Sequence, residues 1–158
     1  MSQRSGVNTS PIGLTIAWLA MILLFLFVSI EVSSAFGLPA LVSVPLVALG
    51  LVLVAFGFAI RYSALRQLLT SNRSIQWSHE PGTLVVGGVF HYSRNPAYLG
   101  ILLTGLGALL IDVNLVMIVF LVVMFVVLNR QASREEGILT KQFGESYQSY
   151  KKKTRRWL

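Results

Sequence analysis

Apolar positions along this chain fall into long unbroken runs, not into the alternation of a half-buried strand or the one-sided stripe of a water-facing helix. Residues 11–30 carry no charge and, at about 30 Å as a helix, match the hydrocarbon core of a bilayer. Residues 39–60 form a second run of the same kind. The third runs over 98–128, which as one helix would measure about 46 Å, far beyond the membrane core. Asp112-Val113-Asn114 interrupts it with residues that favour turns and caps. The pattern therefore predicts two short helices, about 95–111 and 114–129, with a tight turn at one membrane face and tilt or local thinning to accommodate them.

The distribution of charge tests this division independently. With four spans, one side of the membrane receives Arg4, then Arg61, Arg66, Arg73 and Arg94, then Arg130, Arg134, Lys141, Lys151, Lys152, Lys153, Arg155 and Arg156, which together are all 13 basic residues. The other side receives Glu31 and Asp112. Basic loops are retained in the cytoplasm, so both termini are expected there. A three-span division would export eight of the 13 and is rejected. Arg4 before an apolar run, with Ser33-Ser34-Ala35 beyond it, has the outline of a secretory signal. The run exceeds a usual signal core and has one upstream charge, so a retained span is expected.

Composition sharpens the class. Of 158 residues, 54% are hydrophobic and 12% charged, about half the charged share of a soluble domain. The expected fold is all-α, one polytopic membrane domain over 1–158, with four transmembrane helices and a cytoplasmic C-terminal amphipathic helix. The cytoplasmic loop is expected over 61–94 and the C-terminal helix and basic tail over 131–158. In that helix Leu139, Phe143, Tyr147 and Tyr150 make one apolar stripe, weakened by Gly144. The absence of cysteine excludes disulfides, thiol nucleophiles and thiolate metal sites. A net charge of +7 would point to nucleic acid in a soluble protein; here no binding fold or stacking platform accompanies it. The run Lys151-Lys152-Lys153-Thr154-Arg155-Arg156-Trp157 instead fits anionic lipid headgroups with an aromatic anchor. No obligatory protein partner is evident.

Candidate chemistry concentrates on the basic side. Glu135-Glu136 stands out among few acidic residues; by charge spacing alone it balances Arg130, Arg134 and Lys141 on a solvated helix. Asn95 before Pro96 suits a helix start, which would set Arg94 and free backbone amides at the mouth of the third span, where an anionic group is favoured. Taken alone, the segment reads rather as a well-capped span entry with Tyr92, Arg94 and Tyr98 as interface anchors. Gly100, Thr104 and Ala108 recur at fours beside Gly105 and Gly107, a ridge suited to close helix packing and compatible with a ligand cleft. His79 and His91 lack a third ligand, so no metal site is expected. Asp112 lies on the wrong face for a Ser/His/Asp arrangement.

Two blocks together resemble the isoprenylcysteine carboxyl methyltransferase family. Val86-Gly87-Gly88-Val89-Phe90-His91-Tyr92-Ser93-Arg94-Asn95-Pro96-Ala97-Tyr98-Leu99-Gly100 is similar to its Arg-His-Pro-x-Tyr-x-Gly segment. Arg134-Glu135-Glu136, Leu139 and Phe143-Gly144-Glu145-Ser146-Tyr147-Gln148-Ser149-Tyr150 are similar to its C-terminal Glu-Glu, Phe-Gly and Tyr pattern. Gly105, Gly107, Glu135 and Glu136 also resemble the Gly-x-Gly and Glu-Glu elements of the related phospholipid N-methyltransferases. The resemblance covers about 84–150 and implies an integral-membrane methyltransferase that uses S-adenosylmethionine and a lipophilic acceptor from the bilayer, a prenylcysteine-type carboxylate or a phospholipid amine. It implies cofactor contacts at His91, Tyr92, Arg94, Asn95, Pro96, Tyr98, Gly100, Gly105, Gly107, Glu135 and Glu136, and catalytic or acceptor-orienting roles for Arg130, Arg134 and Glu135. Asn95 departs from the family's histidine, which removes a group able to change charge. An NADPH-dependent reductase of the sterol type and a non-enzymatic membrane protein are the alternatives. Compact size favours a prokaryotic inner membrane over the endoplasmic reticulum.

Overall fold

The computed structural model describes residues 10–71 and 84–158. It contains α1 (Pro11–Ala35), α2 (Val44–Thr70), α3 (Pro96–Ile111) and α4 (Leu115–Lys153), with a 3-10 turn at Gly88–His91 before α3. Helix starts follow local chemistry: the Ser10 hydroxyl accepts from the Gly13 amide at 3.0 Å, and the Asn114 side-chain oxygen accepts from the Met117 amide at 2.9 Å. The turn at 112–114 separates α3 from α4 as the pattern predicts.

Two boundaries differ from the expectation. α2 continues to Thr70, so the first ten residues of the expected cytoplasmic loop are helical. Arg61 and Arg66 are straight-chain residues that suit a helix, and hydropathy marks where a membrane ends, not where a helix ends. Residues 72–83, with Arg73 and His79, and residues 1–9, with Arg4, lie outside the described residues. α4 is likewise continuous through 130, so there is no separate C-terminal helix from 131; the reorientation comes at Gly144, with φ 49° and ψ −124°. Nothing at 129–131 breaks a helix, whereas that backbone conformation favours glycine.

α1, α2 and α4 are long and apolar enough to cross a membrane, and α3 is a shorter apolar helix of 16 residues. Their outward faces carry exposed Leu24, Phe27, Val52 and Val122, as an integral membrane protein requires. α2 and α3 run antiparallel in close contact: a Cβ on Gly57 would lie 2.6 Å from the Gly100 carbonyl oxygen, and one on Gly50 would lie 2.6 Å from that of Gly107. The two glycine pairs share a seven-residue spacing, so two turns of each helix meet backbone to backbone. α1 closes the bundle through buried Thr15, Ile22, Ser29 and Ser33, with Phe25 stacked on Phe120 at 3.7 Å between ring centroids. At the acidic end, Ser29 donates to Asn114 at 3.0 Å and Asn114 donates to Asp112 at 2.6 Å. The other end carries Arg61, Arg66, Arg94 and the basic tail.

Candidate functional site

The neighbouring carboxylates Glu135 and Glu136 sit on α4 beyond its apolar segment and point to different partners. Glu135 accepts from the Tyr98 hydroxyl of α3. Glu136, 4% exposed, gathers three cations. Arg94 Nη2 is 3.3 Å from its Oε1, Lys151 Nζ 3.8 Å from its Oε2, and Arg156 forks onto both oxygens at 2.9 and 3.0 Å. Burial pushes the Glu136 carboxyl up, but the Arg156 hydrogen bonds and the charges of Arg94, Arg156 and Lys151 outweigh it and hold the group below the ordinary carboxylate range.

Gly144 makes this convergence possible. It turns the chain so that Tyr147 is buried and the Tyr150 hydroxyl donates to the Phe90 carbonyl at 2.5 Å. After Thr154 the tail lies along the segment before α3: the Arg94 amide donates to the Arg155 carbonyl at 2.9 Å, and the Ser93 hydroxyl to the Arg156 carbonyl at 2.9 Å. The same Ser93 oxygen accepts from the Asn95 amide at 3.2 Å. Residues 154–157 thus form a strap across the mouth of α3.

Asn95 and Pro96 hold the N-cap and first-turn positions of α3 as expected, yet the Asn95 side chain makes no capping bond. Its Nδ2 is buried without a partner, as are Nε and Nη1 of Arg94, whose side chain is 8% exposed. Arg61 Nε on α2 is in the same condition. Buried donors left unpaired are costly and call for an acceptor. Pro96 is buried, whereas His91 and Tyr92 are exposed and stand edge to face at 5.3 Å.

The glycines divide. Gly100 and Gly107 lie against α2 backbone, where they allow close packing; Gly105 instead faces Leu121 of α4, where a Cβ would come within 3.1 Å. Arg130 and Arg134 are exposed on α4, and the cations on Glu136 are Arg94, Lys151 and Arg156 in their stead.

A model of the family described as phospholipid methyltransferase matches residues 45–146, a stretch that runs from α2 through Arg94, Asn95, Tyr98, Glu135 and Glu136. The chain belongs to the phospholipid methyltransferase family. Over 71 residues this family member is 34% identical to a protein-S-isoprenylcysteine O-methyltransferase of Schizosaccharomyces pombe, a match covering 44% of this chain and 30% of the relative. Its fold is similar to that of the eukaryotic intramembrane Ras methyltransferase ICMT (isoprenylcysteine carboxyl methyltransferase), with a TM-score of 0.69 at 20% identity, covering 96% of this chain and 53% of the other. The chain thus spans about half the length of that solved relative.

Sequence reasoning missed Arg156. In this phospholipid methyltransferase family member it lies beyond the matched residues, inside a basic run that reads as a lipid anchor. No periodicity marks it, because its place depends on the turn at Gly144 and the extended backbone at Thr154. The stripe through Tyr147 and Tyr150 was legible as apolar, but those two rings pack into the protein.

Proposed function

We propose that this protein is an integral-membrane methyltransferase that takes S-adenosylmethionine at the mouth of α3 and methylates a lipophilic acceptor. The observation that carries this reading is the set of buried, unpartnered donors, Arg94 Nε and Nη1 and Asn95 Nδ2, on the segment that also bears the cation facing Glu136. The donor set fits the methyl donor's aminoacid head: Arg94 and Asn95 would hold its carboxylate, and Glu135 its ammonium or ribose hydroxyls. When bound, S-adenosylmethionine supplies an electrophilic methyl on a sulfonium sulfur. The protein's share would be alignment of donor and acceptor beside the strap and the apolar bundle.

For a carboxylate acceptor no base is needed, and a cation such as exposed Arg130 or Arg134 would orient it; for an amine, Glu135, which accepts from Tyr98, would take the proton. The one-sided charge supports four spans with α3 as the short third, and both termini on the cytoplasmic face.

Calorimetric titration of the purified protein in detergent with S-adenosylmethionine, S-adenosylhomocysteine and NADPH tests this. Both adenosyl ligands should bind, and Arg94→Gln or Glu135→Gln should weaken them by about tenfold or more, the scale of a lost charge-assisted hydrogen bond. Binding of NADPH alone would replace the reading with a reductase.

A further inference from the structure

The strap and the last turn of α4 before it carry two sets of groups, one turned into the protein and one exposed. The strap's backbone and the Arg156 side chain clasp the site: the Arg155 carbonyl takes the Arg94 amide, the Arg156 carbonyl takes the Ser93 hydroxyl, and the Thr154 hydroxyl donates to the His91 carbonyl at 3.3 Å. Arg156 Nη1 also reaches the Asn129 side chain at 3.0 Å. The remaining charges of the same run, Lys152, Lys153 and Arg155, are exposed. The run they belong to ends against the apolar span. Trp157 packs on Phe125 at 6.0 Å between centroids, and Phe125 is an exposed residue of the apolar segment of α4. The turn at Gly144 has therefore brought the tail back by about thirty residues of sequence to the apolar segment of α4, with its free cations on the same short run as Trp157.

We infer that Lys152, Lys153 and Arg155 form a docking surface for anionic lipid headgroups, and that lipid bound there holds the strap closed over Arg94 and Glu136. The partner follows from charge complementarity and position: an exposed cluster of one sign, anchored by an aromatic ring on the apolar span, faces a surface of opposite charge. Each basic residue near such a surface favours it by about fivefold, and headgroups that bind only the closed strap shift its equilibrium by the same linkage. The strap lies beyond the residues the family model matches. The consequence for the methyl donor rests on the proposed function; the surface itself does not.

Hydrogen exchange of the Arg94 amide reads strap closure directly, because its acceptor is the Arg155 carbonyl. Full-length protein in nanodiscs of phosphatidylcholine is compared with nanodiscs containing about one third phosphatidylglycerol, for wild type and for the Lys152→Gln/Lys153→Gln double variant. Wild type should exchange at least about threefold more slowly with the anionic lipid, and the variant should lose most of that difference while matching wild type in phosphatidylcholine. Equal exchange in the two lipids, or an undiminished difference in the variant, would overturn the inference. S-adenosylhomocysteine affinity is measured in the same four samples. If the ligand binds in none of them, the proposed function fails while the exchange still decides the lipid surface; if it binds equally in all, the surface is not coupled to the site and the inference fails.

Discussion

Arg156 and Glu136, twenty residues apart, meet in a two-point fork, Nε to Oε1 at 2.9 Å and Nη2 to Oε2 at 3.0 Å. The pair joins the strap to α4 and neutralises the carboxylate that also faces buried Arg94. Glu136→Gln should destabilise the protein by about 3 kcal/mol, because Arg94 is then buried without a counter-charge. Arg156→Lys should lose part of that stability, since an ammonium cannot make the fork. The pH dependence has a fixed sign. The Glu136 carboxyl is held below the ordinary range, so its contribution is complete above the usual glutamate value of about 4.3 and is lost as pH falls through the folded-state value. Thermal unfolding in detergent should show a loss of stability below about pH 4 that is smaller in Glu136→Gln. An identical acid limb in the variant would refute this.

The α2–α3 seam gives a second prediction. A Cβ at Gly57 would lie 2.6 Å from both the Gly100 carbonyl oxygen and the Thr104 hydroxyl, and a helix backbone cannot yield as a side chain does. Gly57→Ala should cost about 1–3 kcal/mol. Gly137 is the internal control: it is helical and meets nothing within 4 Å, so Gly137→Ala should add up to about 1 kcal/mol. Both are read from unfolding midpoints in one detergent. Equal shifts of the same sign would mean that the helices do not approach closely at Gly57.

Much of this architecture was legible because lipid imposes long apolar runs and one-sided charge, and because Asp112 and Asn114 punctuate the hairpin. The seam was half legible: the small-residue ridge through Gly100, Thr104 and Ala108 announced close packing, but its partner ridge at Gly50 and Gly57 cannot be chosen from one sequence. The carboxylate pair stood out by its scarcity, and the Tyr98 segment by its resemblance to a known motif. What escaped were the helix ends at Thr70 and beyond 130, where no breaker stands, and the strap. Arg156 has a local composition indistinguishable from that of Lys152 or Lys153, and a single positive φ at Gly144, twelve residues upstream of it, decides which of them faces inward.

That turn is itself testable. No atom would obstruct a Cβ at Gly144, so the cost of Gly144→Ala comes from its φ of +49°, about 1–3 kcal/mol for a residue with a side chain in such a region. Straightening α4 relieves the cost and carries the strap away from Ser93 and Arg94. The variant should therefore show faster exchange at the Arg94 amide and weaker binding of S-adenosylhomocysteine. Unchanged exchange at that amide would show that the turn does not seat the strap.

Asn114 at the acidic end serves three elements at once. Its side-chain oxygen caps α4 through the Met117 amide and accepts from Ser29 of α1, while its nitrogen donates to the buried Asp112 carboxylate. Asn114→Ala removes the cap and leaves both Ser29 and Asp112 without that partner, a loss of about 2–4 kcal/mol when a cap and a buried acceptor are counted together. Ser29→Ala removes one neutral hydrogen bond and should cost about 1 kcal/mol. Because the site lies at the other end of the bundle, neither change should alter ligand affinity in protein that remains folded. A loss of affinity in Ser29→Ala at full helicity would mean that the two ends of the bundle are coupled.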